Sequence, residues 1–221
     1  MSCLLSSSAT KLARCVPTPL DDLLTYVRLP MSGLDLEMDA SMPRMTKKVL
    51  LESCIANEGY ESPELNDNLY LHFKGFRRIE NLEEYTGLKG LWLEANGLTT
   101  IENIGHLEEL RCLFLSRNLF TTVHGLEGLR SLVTLDLSEN RLRKLERLAS
   151  AVPLLETLNV SKNELCEPSS IYELKALGEL KNLNVEHNKL GEDKTGEEVI
   201  ETLAACPKLC GITPQLPCAT L

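Results

Sequence analysis

A chain of 221 residues, 43% hydrophobic and 25% charged, has the composition of one or two globular domains. Its formal net charge of −9 argues against nucleic acid as a partner, because binding to the phosphate backbone calls for a clustered cationic face. No apolar run approaches the roughly 20 residues needed to cross a bilayer, and the eight cysteines are irregularly spaced with no secretory apolar segment ahead of them, which suits reduced thiols and no membrane.

Residues 1–42 open with Ser6, Ser7, Ser8, Lys11 and Arg14 and no acidic residue before Leu20, a faint likeness to a mitochondrial transit peptide. The expectation here is a disordered or poorly ordered tail. Residues 43–68 are expected to form an N-terminal helical cap. Thr46 is placed to cap a helix from Lys47 to about Asn57, with Val49, Leu50, Cys54 and Ile55 on its apolar face and Gly59 as its stop.

From Leu69 onward a repeat takes over. Leu91-Trp92-Leu93-Glu94-Ala95-Asn96, Leu113-Phe114-Leu115-Ser116-Arg117-Asn118 and Leu135-Asp136-Leu137-Ser138-Glu139-Asn140 share one pattern. It starts with Leu69-Tyr70-Leu71 and continues through Leu158-Asn159-Val160 and Leu183-Asn184-Val185. The first leucines of the six copies recur at intervals of 22, 22, 22, 23 and 25 residues, the period of leucine-rich repeats. The expected fold is therefore α/β: a right-handed leucine-rich-repeat solenoid over residues 69–195, with six repeats. A curved parallel sheet would line the concave face, and short helices or 3-10 turns the convex face. Each strand turns its leucines inward and the residues between them outward. The column Asn96, Asn118, Asn140, Asn163 and Asn188 is expected to point inward and satisfy backbone groups of neighbouring turns.

Residues 196–221 read as an atypical helix and tail. The pattern predicts a helix from Gly196 to Leu209 and then places Pro214 where a seventh strand would run. That predicts six strands, no proper repeat cap, a truncated or mis-spliced chain and a fraying last repeat.

Outward positions form two columns. The first reads Tyr70, Trp92, Phe114, Asp136, Asn159, Asn184; the second reads His72, Glu94, Ser116, Ser138, Ser161, Glu186. The single tryptophan falls on the first, beside two further aromatics, and aromatics with a polar rim are what interface hot spots are made of. Tyr70, Trp92, Phe114, Asp136, His72 and Glu94 are the candidate protein-binding residues. The competing reading is that the rings only stiffen the sheet. His72, His106, His124 and His187 occupy different repeat positions with no nucleophile, phosphate-loop or metalloprotease motif beside them, so no catalytic residue is expected. Cys206, Cys210 and Cys218 have no histidine nearby, so neither a metal nor a cofactor is expected. The reading is a monomeric binding module.

The 22-residue form carrying Ile79-Glu80-Asn81-Leu82 resembles the Sds22-like subfamily of short intracellular repeats, typified by a phosphatase regulator. The flank is more specific. Pro43-Arg44-Met45-Thr46-Lys47-Lys48, the stretch Leu65 to Phe76, Arg78 to Leu88 and Leu110 to Leu115 are together similar to the leucine-rich-repeat family of axonemal dynein assembly factors. The likeness is dense from Pro43 to Asn118 and looser to Leu190. It implies a non-enzymatic scaffold for cytoplasmic preassembly of dynein arms and for cilium or flagellum assembly and motility. It further implies a place in the cytoplasm and cilium, and protein partners among axonemal dynein chains, co-assembly factors and chaperones. Family members continue through a repeat cap and a long further region, from which this sequence departs by ending early. The phosphatase-regulating role is the alternative.

Overall fold

A computed structural model describes residues 42–191 and 196–213, so expectations for residues 1–41 and for the last eight residues lie outside the described residues. Seven three-residue strands follow one another in chain order and pair in parallel into one open sheet. They are β1 (Asn68–Tyr70), β2 (Gly90–Trp92), β3 (Cys112–Phe114), β4 (Thr134–Asp136), β5 (Thr157–Asn159), β6 (Asn182–Asn184) and β7 (Gly211–Thr213). The register aligns Leu69, Leu91, Leu113, Leu135, Leu158, Leu183 and Ile212 as successive partners. This is a leucine-rich-repeat solenoid.

Both leucines of each early strand are closed to solvent, from Leu69 and Leu71 through Leu135 and Leu137. The outer turns supply the opposite wall of the same core, with Leu98, Ile104, Leu107 and Leu110 fully buried in one repeat. Each such side chain contributes about 1.5–3 kcal/mol before the cost of ordering it, and none could be buried by its repeat alone. The outer connections are mostly turns. They tighten into a one-turn helix α2 (Leu148–Ala151) and a 3-10 stretch, Pro168–Ala176, where the repeats lengthen.

After each of β1 to β6 one residue adopts the left-handed conformation: Phe73, Ala95, Arg117, Glu139, Lys162 and His187. From the second of these onward, an asparagine follows. Its side chain turns under the strands, and its amide bonds both to its own repeat and to the one before. Asn118 Nδ2 donates to the carbonyls of Leu93, Leu115 and Ser116 at 2.9–3.2 Å, and its Oδ1 accepts the N–H of Leu98 at 3.1 Å. Asn96, Asn140, Asn163 and Asn188 repeat this set on the equivalent atoms.

The edge of β1 is covered by α1 (Lys47–Ala56). Thr46 caps it by accepting the Val49 N–H, and Gly59 N–H closes its far end on the Cys54 carbonyl. Leu50 and Cys54 face the core as expected, but Ile55 is 54% exposed and Ser53 is buried in its stead. The reason is polar: Ser53 Oγ donates to the Tyr70 carbonyl. A helix lying against a strand edge needs a donor there, where an isoleucine would leave the carbonyl unpaired. Ahead of α1, Met45 is fully buried and its carbonyl accepts Asn81 Nδ2 at 2.6 Å, which ties the flank to the first repeat.

At the other end two expectations are corrected. The last helix, α3 (Gly196–Ala204), stops short of Leu209, because the residue before Pro207 is sterically driven from helical geometry. A seventh strand does form, so the count among the described residues is seven and not six. Pro214 falls just after it, not within it. Cys210 and Gly211 N–H both donate to the Lys181 carbonyl at 2.9 Å, as Lys181 and Asn182 do to that of Glu156. Ile212, 29 residues after Leu183, takes the leucine position and remains 40% exposed.

Candidate functional site

Because the intervals between β1, β2 and β3 are equal, their outward side chains stand in line. Tyr70, Trp92 and Phe114 are direct register partners and stack as a row. Ring centroids lie 4.5 Å apart between Tyr70 and Trp92 and 5.2 Å apart between Trp92 and Phe114, with planes 27° and 17° from parallel. All three rings are half-buried. Gly90 explains how the indole lies so flat, since a Cβ there would sit 2.5 Å from its six-membered ring. Gly90→Ala should therefore leave the fold intact but tilt Trp92 out of the row. The check is the emission of this single tryptophan, which is expected to shift to the red; an unchanged spectrum would mean that the ring is not held by the glycine.

The row ends at Asp136, which breaks it chemically. Asp136 Oδ1 accepts the Ser138 N–H at 2.8 Å and Oδ2 accepts Asn159 Nδ2 at 3.2 Å. Asn159 and Asn184 continue the column by accepting the N–H two residues onward. In the second column His72 is exposed and meets Tyr70 edge-on at 6.4 Å. Glu94 is half-buried. Burial holds its carboxyl above the usual carboxylate range, the negative charge of Asp136 adds to this, and its own backbone N–H and His72 oppose it. Its Oε2 is the one shielded side-chain polar atom among the described residues without a hydrogen-bond partner.

The six candidate residues thus occupy one continuous patch on the first four strands. Two features of it were missed from sequence. Phe73, at a left-handed position and 69% exposed, adds a further ring edge-on to His72 at 5.7 Å. A groove of about 320 Å³ runs between α1 and β1, lined by Val49, Glu52, Ser53, Tyr70, His72 and Lys74, and extends the patch past Tyr70. A serine within an otherwise apolar helix face was the available signal for it. The asparagine column lies below the strands, away from this surface, with its amides engaged by backbone.

His106 Nε2 is in contact with the Leu82 carbonyl at 2.9 Å, and His124 and His187 are exposed at separate turns. Among the described residues no three His, Cys, Asp or Glu side chains are grouped as metal ligands would be, and no helix is long and apolar enough to cross a membrane.

No family model matches the chain. Curated relatives do. The chain is 61% identical over 56 residues to dynein axonemal assembly factor 1 of Rattus norvegicus, a stretch that is 25% of this chain and 9% of that protein. It is 66% identical over 50 residues to the Homo sapiens protein of the same name, 23% of this chain and 7% of the relative. The match thus spans less than a tenth of these relatives. Among solved structures, an internalin of Listeria monocytogenes superposes with a TM-score of 0.55 at 18% identity, over 70% of this chain and 50% of that one, and so shares the fold. The chain thus presents a leucine-rich-repeat sheet with one open face, and over about a quarter of its length it is similar to proteins named as assembly factors.

Proposed function

We propose that this chain is a non-enzymatic scaffold for the cytoplasmic preassembly of axonemal dynein arms, working in the cytoplasm and cilium. We further propose that it grips a protein partner through Tyr70, Trp92 and Phe114, with His72, Glu94 and Asp136 around them. The observation that carries the reading is the stacked aromatic row, on the open strand face of a chain that is 61% identical over a quarter of its length to a dynein axonemal assembly factor. Large flat side chains already held in place by stacking lose little entropy when a partner covers them.

The test is capture from an extract of ciliated cells, comparing the full chain with Trp92→Ala. Axonemal dynein heavy or intermediate chains should be retained by the first. Affinity should fall about 30-fold for the second, the loss expected of one central aromatic contact worth about 2 kcal/mol. Retention of a phosphatase catalytic subunit in place of dynein chains would favour the phosphatase-regulating alternative. Equal capture by both forms would leave the rings as stiffeners of the sheet.

A further inference from the structure

We propose that the segment bound on this face presents an arginine, its guanidinium paired with the Glu94 carboxylate and its methylene stem laid along the aromatic row. This rests on the strand face being the interface and names the chemistry of what it takes.

The two outward columns carry Glu94, Asp136 and Glu186 and neither a lysine nor an arginine. In the neighbouring left-handed column Arg117 and Lys162 both pair with Glu139, at 3.3 and 3.1 Å, and so are not directed at Glu94. Asp136 already has a donor on each oxygen. Glu94 does not: its Oε2 is shielded from water and lacks a donor. A part-buried carboxylate in that condition is costly to hold charged, and its burial already moves its protonation upward. A guanidinium arriving from a partner would favour the charged form and, once the carboxyl turns outward to meet it, would supply the donor that Oε2 lacks.

The neighbouring rings select among donors. Each ring already gives a face to its neighbour in the row, so what the row offers outward is apolar area suited to a hydrocarbon stem. Arginine combines such a stem with a weakly hydrated planar head that meets a carboxylate through two parallel hydrogen bonds, whereas the ammonium of lysine is a strongly hydrated point charge.

The probe is acetyl-leucyl-arginyl-leucinamide, with its lysine and citrulline counterparts, titrated at millimolar concentration into the full chain. Trp92 is the only tryptophan and reports binding directly. The arginine peptide should saturate the change in emission, and added salt should weaken it. Citrulline, which keeps the shape and loses the charge, should bind at least tenfold more weakly, and lysine should fall between. Glu94→Gln, nearly isosteric, should cost the arginine peptide at least tenfold, whereas Glu109→Gln on an exposed outer turn should leave it unchanged; matching thermal melts show that both variants are folded. Equal binding of arginine and citrulline, or full binding by Glu94→Gln, overturns the proposal. In the extract assay, capture lost with Trp92→Ala but kept with Glu94→Gln would reject the arginine while leaving the interface, whereas capture kept by both would remove the interface itself.

Discussion

Asn140→Ala should destabilise the solenoid by about 3 kcal/mol, a large share of the 5–15 kcal/mol that holds a typical domain folded. One small amide makes four bonds here. Nδ2 donates to the carbonyls of Leu115, Leu137 and Ser138 at 3.0–3.1 Å, and Oδ1 accepts the Phe120 N–H at 3.1 Å. The leucine carbonyls are shared: that of Leu115 also receives Asn118, and that of Leu137 also receives Asn163. Alanine would thus leave each leucine carbonyl one donor, but would strip the Phe120 N–H, which sits beside a fully buried ring. Asn140→Asp should be worse still, although it changes one atom, because it sets a carboxylate oxygen against three carbonyls. Urea unfolding would measure both. A loss below about 1 kcal/mol for alanine would mean that water replaces the amide easily and that the column is not structural. Asn96, at the open end of the column and only half-buried, should show roughly half the effect of Asn140.

How much of this could be read from the residues follows from what sets the register. Parallel strands joined by equal intervals bring like positions together, so Leu69, Leu91 and Leu113 become neighbours by counting alone, and Tyr70, Trp92 and Phe114 line up with them. The count fails where the interval stretches to 29 residues and the inward residue is Ile212, because the signal was a leucine pair at a fixed period while pairing needs only an extended backbone of the right reach. Ser53 was missed for a related reason. Helical periodicity ranks positions by apolarity and does not see that the surface beneath the helix is the Tyr70 carbonyl. The unpartnered oxygen of Glu94 depends on shielding by neighbours distant in the chain, which no local pattern encodes. Gly90 and the indole folded over it lie two residues apart, yet only the ring's orientation reveals the need for a glycine.

Equal intervals also place the residue whose substitution should have the second large effect. Gly125→Ala should cost more than 3 kcal/mol, in the range of strained backbone combined with overpacking. The residue holds φ at +97°, which side chains rarely adopt, and a Cβ there would lie 1.8 Å from the Ile101 carbonyl oxygen and 2.7 Å from its carbon. Neither atom can swing aside as a side-chain end could. Asn103 and Asn81 occupy the matching position one and two repeats earlier, at φ of 58° and 61°. Asn103 Nδ2 donates to the Ile79 carbonyl at 2.7 Å, the counterpart of Ile101. Where the preceding repeat reaches that carbonyl with a side-chain amide, the third lets its backbone close in upon it. Gly125→Asn should accordingly be milder than Gly125→Ala by at least about 1 kcal/mol, since a turn that reverts to the φ of its neighbours regains the amide-to-carbonyl bond. Equal losses for the two substitutions in urea unfolding would show that the close approach is fixed by packing around the turn and that the missing asparagine plays no part.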